Sequence, residues 1–346
     1  MKKSKVFALL LLLALALVCA TFAACGERGG EEGAADGGET IVIKYGNTDP
    51  DTKSTTIAAE WLKEYMAEQT GGRVEVEVSP NGQLGDDEEL LKGVKLGTVQ
   101  LYVGIGNVST AAGPKANLIE LPFIYNSYED WYTGSFEKGG LDLFNEMIAD
   151  SGLVCLDFQY EGFKSILSAK QVYKSMDELK GFKIRVTPTD LNLAIWQALG
   201  ANPTPVSWGE VYTSMTQGVV DGIDHTQGTW LSAKLYEAAK YATITNHVVS
   251  PFTVVTSQDF LDSLPDDIRD IFIEGVRQMG DMQRELELEN AESYLQQLQD
   301  LGVEIYVAPQ EMRDEMKALM GPVYDMQREI CGADAVDAFI ATGGND

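Results

Sequence analysis

The sequence contains few of the side chains that metal enzymes and disulfide-stabilised domains require. Its 346 residues include two histidines, His225 and His247, and four cysteines. Two histidines do not provide the ligand spacing of a typical zinc enzyme. There is no C-x-x-C motif and no G-x-S-x-G motif, so neither a redox pair nor a hydrolase nucleophile is indicated. We predict a protein that is not an enzyme and uses no cofactor; an exported lyase or hydrolase acting on an organic acid is the alternative.

Positive charge is also scarce. Lysine and arginine number 26 against 53 aspartates and glutamates, which gives a formal net charge of −27. Such a surface repels a phosphate backbone, so the composition excludes nucleic acid as a partner. The hydrophobic fraction of 45% is ordinary for a soluble globular protein. A chain of this length suits two domains.

The sequence has one long apolar run, and it lies at the N-terminus. A basic start, "MKKSK", precedes 13 apolar residues and then small residues. This order predicts a signal peptide at residues 1–24, and the run is short for a membrane span. The segment before Cys25 resembles a lipobox, so we expect Cys25 to be lipidated and to anchor the protein in the lipid bilayer. Cleavage after Ala20 or Ala24 without lipidation is the alternative.

Residues 25–40 are rich in glycine and acidic side chains and have nothing to bury. They predict a flexible tether. The expected location is outside the cytoplasm, either on the outer face of the cytoplasmic membrane or in the periplasm. Cys155 lies in an apolar segment and is expected in the core. A disulfide between Cys155 and Cys331 is left open, because the sequence does not give their separation.

Strands and helices alternate after the tether. The first unit is predicted to contain strands at 41–46, 71–82 and 99–104 and helices at 54–70 and 86–97. The second unit is predicted to contain strands at about 163–168, 182–186 and 219–223 and helices at about 189–200 and 208–217. This order predicts an α/β fold with mostly parallel sheets.

The remaining elements connect the two units. Strands at 241–247 and 251–257 run back toward the first unit, and a helical stretch at roughly 266–300 is polar on most sides. We expect that long helix to lie across both units, followed by a strand at 303–308 and one or more terminal helices. The predicted lobes are 41–162 plus about 251–290 and 163–250 plus about 291–346, with a cleft between them that closes on a small ligand.

Arg185 lies in the alternating segment "GFKIRVTPTD" (181–190). Ile184 and Val186 face one side of the strand, and Lys183 and Arg185 face the other. Arg185 is either a solvated strand residue or a fixed cation that awaits an anion at the strand end. The pattern alone favours the solvated interpretation.

Several segments carry a family resemblance. They are "GGRVEVEVSPNGQLGDDEELLKGVKLGTVQL" (71–101), "ELPFIYNSYEDW" (120–131), "MDELKGFKIRV" (176–186), "ALGANPTPVSWGEVYTSMTQGVVDGID" (198–224) and "TNHVVSPF" (245–252). In this order, over about residues 40–340, the sequence resembles the extracytoplasmic solute-binding proteins of tripartite ATP-independent periplasmic (TRAP) transporters, the DctP-like family.

The resemblance implies a two-lobed periplasmic-binding-protein-like fold of the class II type, with a ligand in the hinge cleft and a long helix across both lobes. It implies delivery of a small organic acid to integral-membrane permease subunits driven by an ion gradient. A sugar acid or a C4-dicarboxylate is the favoured ligand. A binding protein for an ATP-driven importer, or a ligand sensor for a membrane kinase, is the alternative.

The resemblance also assigns candidate ligand-binding residues. Arg185 takes the position that pairs with the ligand carboxylate, and a guanidinium can do so through two parallel N–H donors. Lys164 takes the position of a second arginine; a surface lysine is the alternative. Trp208 takes the position of an aromatic residue against the ligand, or it packs in the core. His225 takes the position of an asparagine that contacts the ligand; it donates a hydrogen bond, adds charge, or is a plain loop residue.

Four further candidates follow from their place in the predicted sheet. Asn47 and Thr48 come directly after the first strand, and Gly104 and Asn107 come at or after the end of the 99–104 strand. Open α/β sheets bind ligands at the carboxyl ends of their strands. We therefore add these four residues to the candidate ligand-binding set.

Overall fold

A computed structural model describes residues 40–105 and 108–344. The predicted signal peptide, the lipidation candidate Cys25, the tether up to residue 39 and the candidate Asn107 lie outside the described residues. Within the described ranges, no helix combines the length and the apolar composition of a membrane span.

The first sheet has five strands in the order β2-β1-β3-β10-β4. β1 is parallel to β2 and β3, whereas β10 is antiparallel to both β3 and β4. The alternating valines of β2 bury one face of that strand, as the sequence pattern predicts. The strand bounds are β1 Ile41–Gly46, β2 Val74–Ser79, β3 Leu101–Ile105, β4 Leu153–Gln159 and β10 Phe252–Ser257.

The second sheet has six strands in the order β11-β9-β5-β8-β6-β7. β6 is parallel to both of its neighbours, β7 and β8, while β5 is antiparallel to β8 and β9. The strand bounds are β5 Phe163–Ser168, β6 Lys183–Val186, β7 Asn202–Pro205, β8 Gly222–His225, β9 Tyr241–Val249 and β11 Glu304–Val307. The predicted α/β architecture built on two sheets is confirmed.

Helices cover the sheets. The α-helices of the described chain are α1 Ser54–Gln69, α2 Asp87–Leu96, α3 Val108–Ala112, α4 Tyr128–Tyr132, α5 Gly140–Ile148, α6 Met176–Leu179, α7 Asp190–Ala198, α8 Val211–Thr216, α9 Gln227–Ser232, α10 Gln258–Ser263, α11 Asp266–Asp300, α12 Gln310–Ala318, α13 Gly321–Cys331 and α14 Ala333–Thr342. Short 3-10 turns occur between them, among them Pro114–Glu120 and Trp208–Glu210.

The long helix α11 contacts elements of both sheets, as predicted. It packs against α1 and β4 of the first and against α9 and β11 of the second. Ile268, Phe272 and Val276 bury its first half at helical spacing. Farther along, Gln283, Arg284 and Glu287 are buried polar residues, and Glu287 accepts a hydrogen bond from Ser54 at 2.6 Å. The helix is therefore anchored where it leaves the first sheet.

The sequence did not predict β4 or β7. β4 contains an apolar run with one face buried and the other partly buried, so its sequence lacks the alternation that marks a half-exposed strand. β7 contains two prolines, which are compatible with a strand at the edge of a sheet, where this one lies. The predicted strand 219–223 is displaced to Gly222–His225, and the predicted helix 208–217 begins as a 3-10 turn.

The C-terminal helices contact both parts of the fold. α13 packs against α7, and α14 packs against α5 and the turn Pro114–Glu120. The assignment of the whole segment 291–346 to the second lobe therefore stays a prediction. Cys155 is buried and Cys331 is partly buried, and neither forms a disulfide within the described residues.

Candidate functional site

A cavity lies where elements of the two sheets meet. Its empty volume, including the space open to solvent, is about 440 Å³. Loops and strand ends from both sheets line it. The lining residues are Thr48, Asp49, Asp87, Gly104, Ile105, Glu161, Arg185, Thr187, Trp208, His225, Thr229 and Phe252.

Arg185 is the cation of this cavity. It lies on β6 between β7 and β8, opposite Thr204 and Ile223. The side chain is buried, and its Nε donates a hydrogen bond to the Val206 carbonyl at 3.0 Å. Buried Nη1 has no hydrogen-bond partner in residues 40–105 and 108–344. The solvated interpretation of Arg185 is therefore wrong.

The Arg185 guanidinium remains charged at neutral pH. Burial lowers its pKa to about 10, although carboxylates at a distance, Asp224 first among them, act in the opposite direction. A buried cation with an unused donor is unusual, because buried charges are normally paired.

Trp208 lies beside Arg185. Its ring centroid is 5.8 Å from the Arg185 Cζ and 5.2 Å from the His225 ring centroid. The indole is half-buried and also packs on the hydrophobic cluster around Val211. Trp208 therefore combines the two roles considered for it, packing in the core and lining the cavity.

His225 lies at the end of β8 and is buried. Burial lowers its pKa well below the usual value, and the nearby cations Lys164 and Arg185 act in the same direction. The backbone N–H of Thr226 donates to Nδ1 at 3.0 Å, which leaves the proton of the neutral ring on Nε2. These surroundings favour a neutral ring that donates from Nε2, and the role of His225 toward a ligand stays a prediction.

Lys164 is buried but does not line the cavity. Its Nζ donates to Glu120 Oε1 at 2.8 Å. Glu120 also accepts hydrogen bonds from Ser250 and Asn192. The surface interpretation of Lys164 is therefore wrong, and the structure gives its ammonium a carboxylate partner within the protein.

The strand-end candidates divide into two groups. Thr48 and Gly104 line the cavity. Asn47 does not; it is buried, and its Nδ2 donates to the Tyr45 hydroxyl at 2.9 Å and to Thr56 Oγ1 at 3.0 Å. The position of Asn107 is outside the described residues. Asn47 therefore fixes the loop that presents Thr48.

Three carboxyl groups of the cavity were not singled out from the sequence: Asp49, Asp87 and Glu161. Asp87 begins α2, where a capping box between Asp86 and Glu89 fixes the helix start. The strand-end argument used for Thr48 extends to Asp49, which is the next residue. With 53 acidic residues in the chain, no single carboxylate was informative.

These carboxyl groups are held by hydrogen bonds. Asp87 accepts from Tyr102 at 2.9 Å and from Thr48 at 3.2 Å, and Thr55 donates to Asp49 at 2.7 Å. Thr229 donates to Glu161. Burial raises the pKa of Asp87 to about 6 and the pKa of Glu161 to about 8. The cavity thus combines one arginine with three carboxyl groups.

Comparison with known proteins identifies the family to which the chain belongs. A model of bacterial extracellular solute-binding proteins, family 7, matches residues 45–329. The C4-dicarboxylate-binding periplasmic protein DctP of Rhodobacter capsulatus is 31% identical over 306 residues, which cover 88% of this chain and 91% of the relative. The 2,3-diketo-L-gulonate-binding periplasmic protein YiaO of Escherichia coli is 27% identical and covers 76% of this chain and 80% of its own.

Solved structures share the fold. A TRAP periplasmic solute-binding protein from Shewanella oneidensis with bound succinate superposes with a TM-score of 0.82 at 26% identity and covers 88% of this chain and 99% of its own. The sugar acid binding protein of Advenella mimigardefordensis with galactonate gives a TM-score of 0.82 at 24% identity over 88% and 98% of the two chains. The chain therefore belongs to family 7 of the bacterial extracellular solute-binding proteins, the DctP family, as its resemblance to TRAP solute-binding proteins predicted.

Proposed function

We propose that this protein captures a small organic acid outside the cytoplasm and delivers it to the membrane subunits of a TRAP transporter. The observation that carries the proposal is the buried Arg185 side chain, whose Nη1 has no partner within the described residues although it lines the cavity. A ligand carboxylate supplies the acceptor that this donor needs. The pair forms in a partly dehydrated site, where charge-assisted hydrogen bonds are strong.

The neighbouring side chains complete the contacts. Trp208 covers the carbon skeleton of the ligand with its ring. His225 donates a hydrogen bond from its neutral ring. Thr48 and Gly104 line the wall of the cavity on the side of the first sheet. Of the other candidates, Asn47 and Lys164 act indirectly, by fixing the loop before Thr48 and by pairing with Glu120. All contacts to the ligand are non-covalent, and the acid leaves the protein unchanged.

Closure of the cleft follows from the composition of its walls. Arg185 and His225 belong to strands of the second sheet, whereas Gly104 belongs to β3 of the first sheet and Thr48 follows β1. A ligand that contacts both walls stabilises the closed arrangement, because the open arrangement offers fewer contacts. The closed form is the one that the permease subunits recognise. The names of relatives support an acid as the ligand, since one binds C4-dicarboxylates and another binds 2,3-diketo-L-gulonate.

A lipid anchor at Cys25 is part of the proposal. The support is the signal-like N-terminus and the cysteine that follows its small residues. Cys25→Ala is expected to release the exported protein from the membrane fraction, while the wild-type protein stays with it. Equal amounts of both proteins in the soluble fraction contradict the anchor and leave the binding function intact.

The binding proposal is tested with the exported part of the chain from residue 26. Thermal shift and calorimetry with sugar acids, C4-dicarboxylates and keto acids are expected to give at least one ligand. Arg185→Gln is expected to weaken the binding of that ligand by about 2–5 kcal/mol, since it removes one partner of a buried charged pair. Arg185→Lys keeps the charge but loses the paired donors, so a smaller loss is expected.

The matched control is Lys183→Gln on the same strand, where the lysine is exposed. It is expected to leave the affinity unchanged. If Arg185→Gln weakens binding no more than Lys183→Gln does, Arg185 is not the carboxylate partner. If no carboxylate in the panel binds the wild-type protein, the proposed function is wrong. The ligand recovered after dissociation is expected to be chemically unchanged by NMR.

A further inference from the structure

The cavity contains one cation and three carboxyl groups. Among the described lining residues, Arg185 is the one lysine or arginine, whereas Asp49, Asp87 and Glu161 each bring a carboxyl group. This excess of carboxyl groups over cations is unexpected for a site that binds a dianion, because like charges repel. It indicates that the ligand offers one anionic group and several hydrogen-bond donors.

The two nearest lysines do not correct this balance. Lys164 is bound to Glu120, 2.8 Å from Nζ to Oε1. Lys53 is buried, and its Nζ is 3.7 Å from Glu161 and 3.7 Å from Glu287. Neither lysine lines the cavity. A second carboxylate in the cavity would therefore be lined by the carboxyl groups of Asp49, Asp87 and Glu161 and by no described lysine.

The charges are divided between the two walls. Arg185, on β6, belongs to the wall built by the second sheet. Asp49 follows β1 and Asp87 begins α2, so both belong to the wall built by the first sheet. A ligand that bridges the walls places one end at the guanidinium and the other at two carboxyl groups. Ionised carboxyl groups accept hydrogen bonds and do not donate them.

We propose that the ligand is a polyhydroxylated monocarboxylate, such as an aldonic acid, and not a dicarboxylate. Its carboxylate pairs with Arg185, and its distal hydroxyl groups donate to Asp87 and Asp49. The inference rests on the proposed function and narrows its ligand class. A second carboxylate in the place of the terminal hydroxyl group would face like charge, which disfavours it, and the specificity arises from that repulsion.

Two matched pairs of acids test the proposal at pH 8 by calorimetry on the wild-type protein. D-Gluconate and D-glucarate share a six-carbon skeleton and differ by a terminal hydroxymethyl or carboxylate group. D-Erythronate and meso-tartrate are the four-carbon equivalents. In at least one pair, the monocarboxylate is expected to bind at least tenfold more tightly than its dicarboxylate. Succinate is included as an unhydroxylated dicarboxylate, and 4-aminobutanoate as a four-carbon acid with an ammonium group.

The variant Asp87→Asn removes one of the repelling charges and keeps an acceptor oxygen. It is expected to reduce the preference for the monocarboxylate at least fivefold. Asp270→Asn removes an aspartate that is exposed on α11 and outside the cavity, and it is expected to leave the preference unchanged. If Asp87→Asn and Asp270→Asn show the same preference for the monocarboxylate over its dicarboxylate, Asp87 does not contribute to that preference.

The outcomes separate the two proposals. If the monocarboxylate binds at least tenfold more tightly than its dicarboxylate in neither pair, or if succinate binds and none of the hydroxylated monocarboxylates does, the inference is wrong and the organic-acid function stands. Tighter binding of 4-aminobutanoate than of D-erythronate overturns it in favour of an ammonium donor. If all these acids and the wider carboxylate panel fail to bind, the inference and the proposed function are both wrong.

Discussion

Lys164 and Glu120 form a buried ion pair, with 2.8 Å between Nζ and Oε1 and a side-chain exposure of 1% on each residue. Burial raises the pKa of Glu120, but Lys164 and the hydrogen bonds at the carboxylate outweigh this effect and lower it overall. The pKa of Lys164 is raised by Glu120 in spite of burial. The two groups therefore hold each other in the charged state.

This pair predicts a non-additive pattern of stability. Lys164→Met leaves the Glu120 carboxylate buried without its partner and is expected to cost about 3–5 kcal/mol of unfolding free energy. In the double variant with Glu120→Gln neither member of the pair is charged, and the new amide keeps an acceptor oxygen for Ser250, so most of the stability returns. Urea denaturation of the wild-type protein, both single variants and the double variant measures the coupling. Additive losses contradict a structural role for the pair.

Arg185 is expected to destabilise the ligand-free protein. Burial lowers its pKa from 12.5 to about 10, which corresponds to a cost of roughly 3 kcal/mol for keeping the charge inside. Arg185→Gln is therefore expected to raise the free energy of unfolding without ligand by about 1–3 kcal/mol. Thermal denaturation measures this, and exposed Lys183→Gln serves as the control with a change below about 0.5 kcal/mol. A destabilised Arg185→Gln variant indicates a structural role instead.

Asp87 is expected to make the ligand-free protein less stable as the pH rises. Burial raises its pKa from 3.8 to about 6, so the folded state favours the protonated form. Protonated Asp87 makes its full contribution to the unfolding free energy below about pH 4. That contribution, roughly 3 kcal/mol in total, is lost as the pH rises through about 6.

The measurement for Asp87 is the difference in unfolding free energy between Asp87→Asn and the wild-type protein across pH 4–8. The variant is expected to gain stability relative to the wild-type protein between about pH 4 and pH 6 and to keep that gain above. Other titrating groups cancel in this difference, because both proteins contain them. A difference that is constant with pH shows that the Asp87 carboxyl group has an ordinary pKa.

The sequence predicted those parts of the fold whose signals are local. The bounds of α11 and of β1 agree with the predicted 266–300 and 41–46, because helical polarity and strand ends can be read from adjacent residues. β4 was missed because apolar residues occupy both its buried face and its partly buried face, which removes the alternation. Arg185 was placed on a strand correctly, but its burial depends on β7 and β8 and on the elements that cover them.

For the candidate site, too, the sequence predicted what depends on local signals and missed what depends on long-range packing. The position of Arg185 in the cavity agrees with the resemblance. Lys164, by contrast, is paired with Glu120, which lies 44 residues earlier in the chain. Nothing in the segment around Lys164 reveals that partner. The sequence did not reveal Asp87 and Asp49 either, because they differ from the other acids in lining the cavity with Arg185, and that placement is set by long-range packing.

The order of strands in the first sheet has a consequence for how the chain folds. β10 lies between β3 and β4, so a nascent chain that ends before Phe252 lacks the strand that joins its first three strands to the fourth. The first sheet is complete only after most of the second sheet has been synthesised, and neither sheet can finish alone from one continuous segment. Such non-local pairing slows folding, which keeps the polypeptide unfolded for longer while it leaves the ribosome.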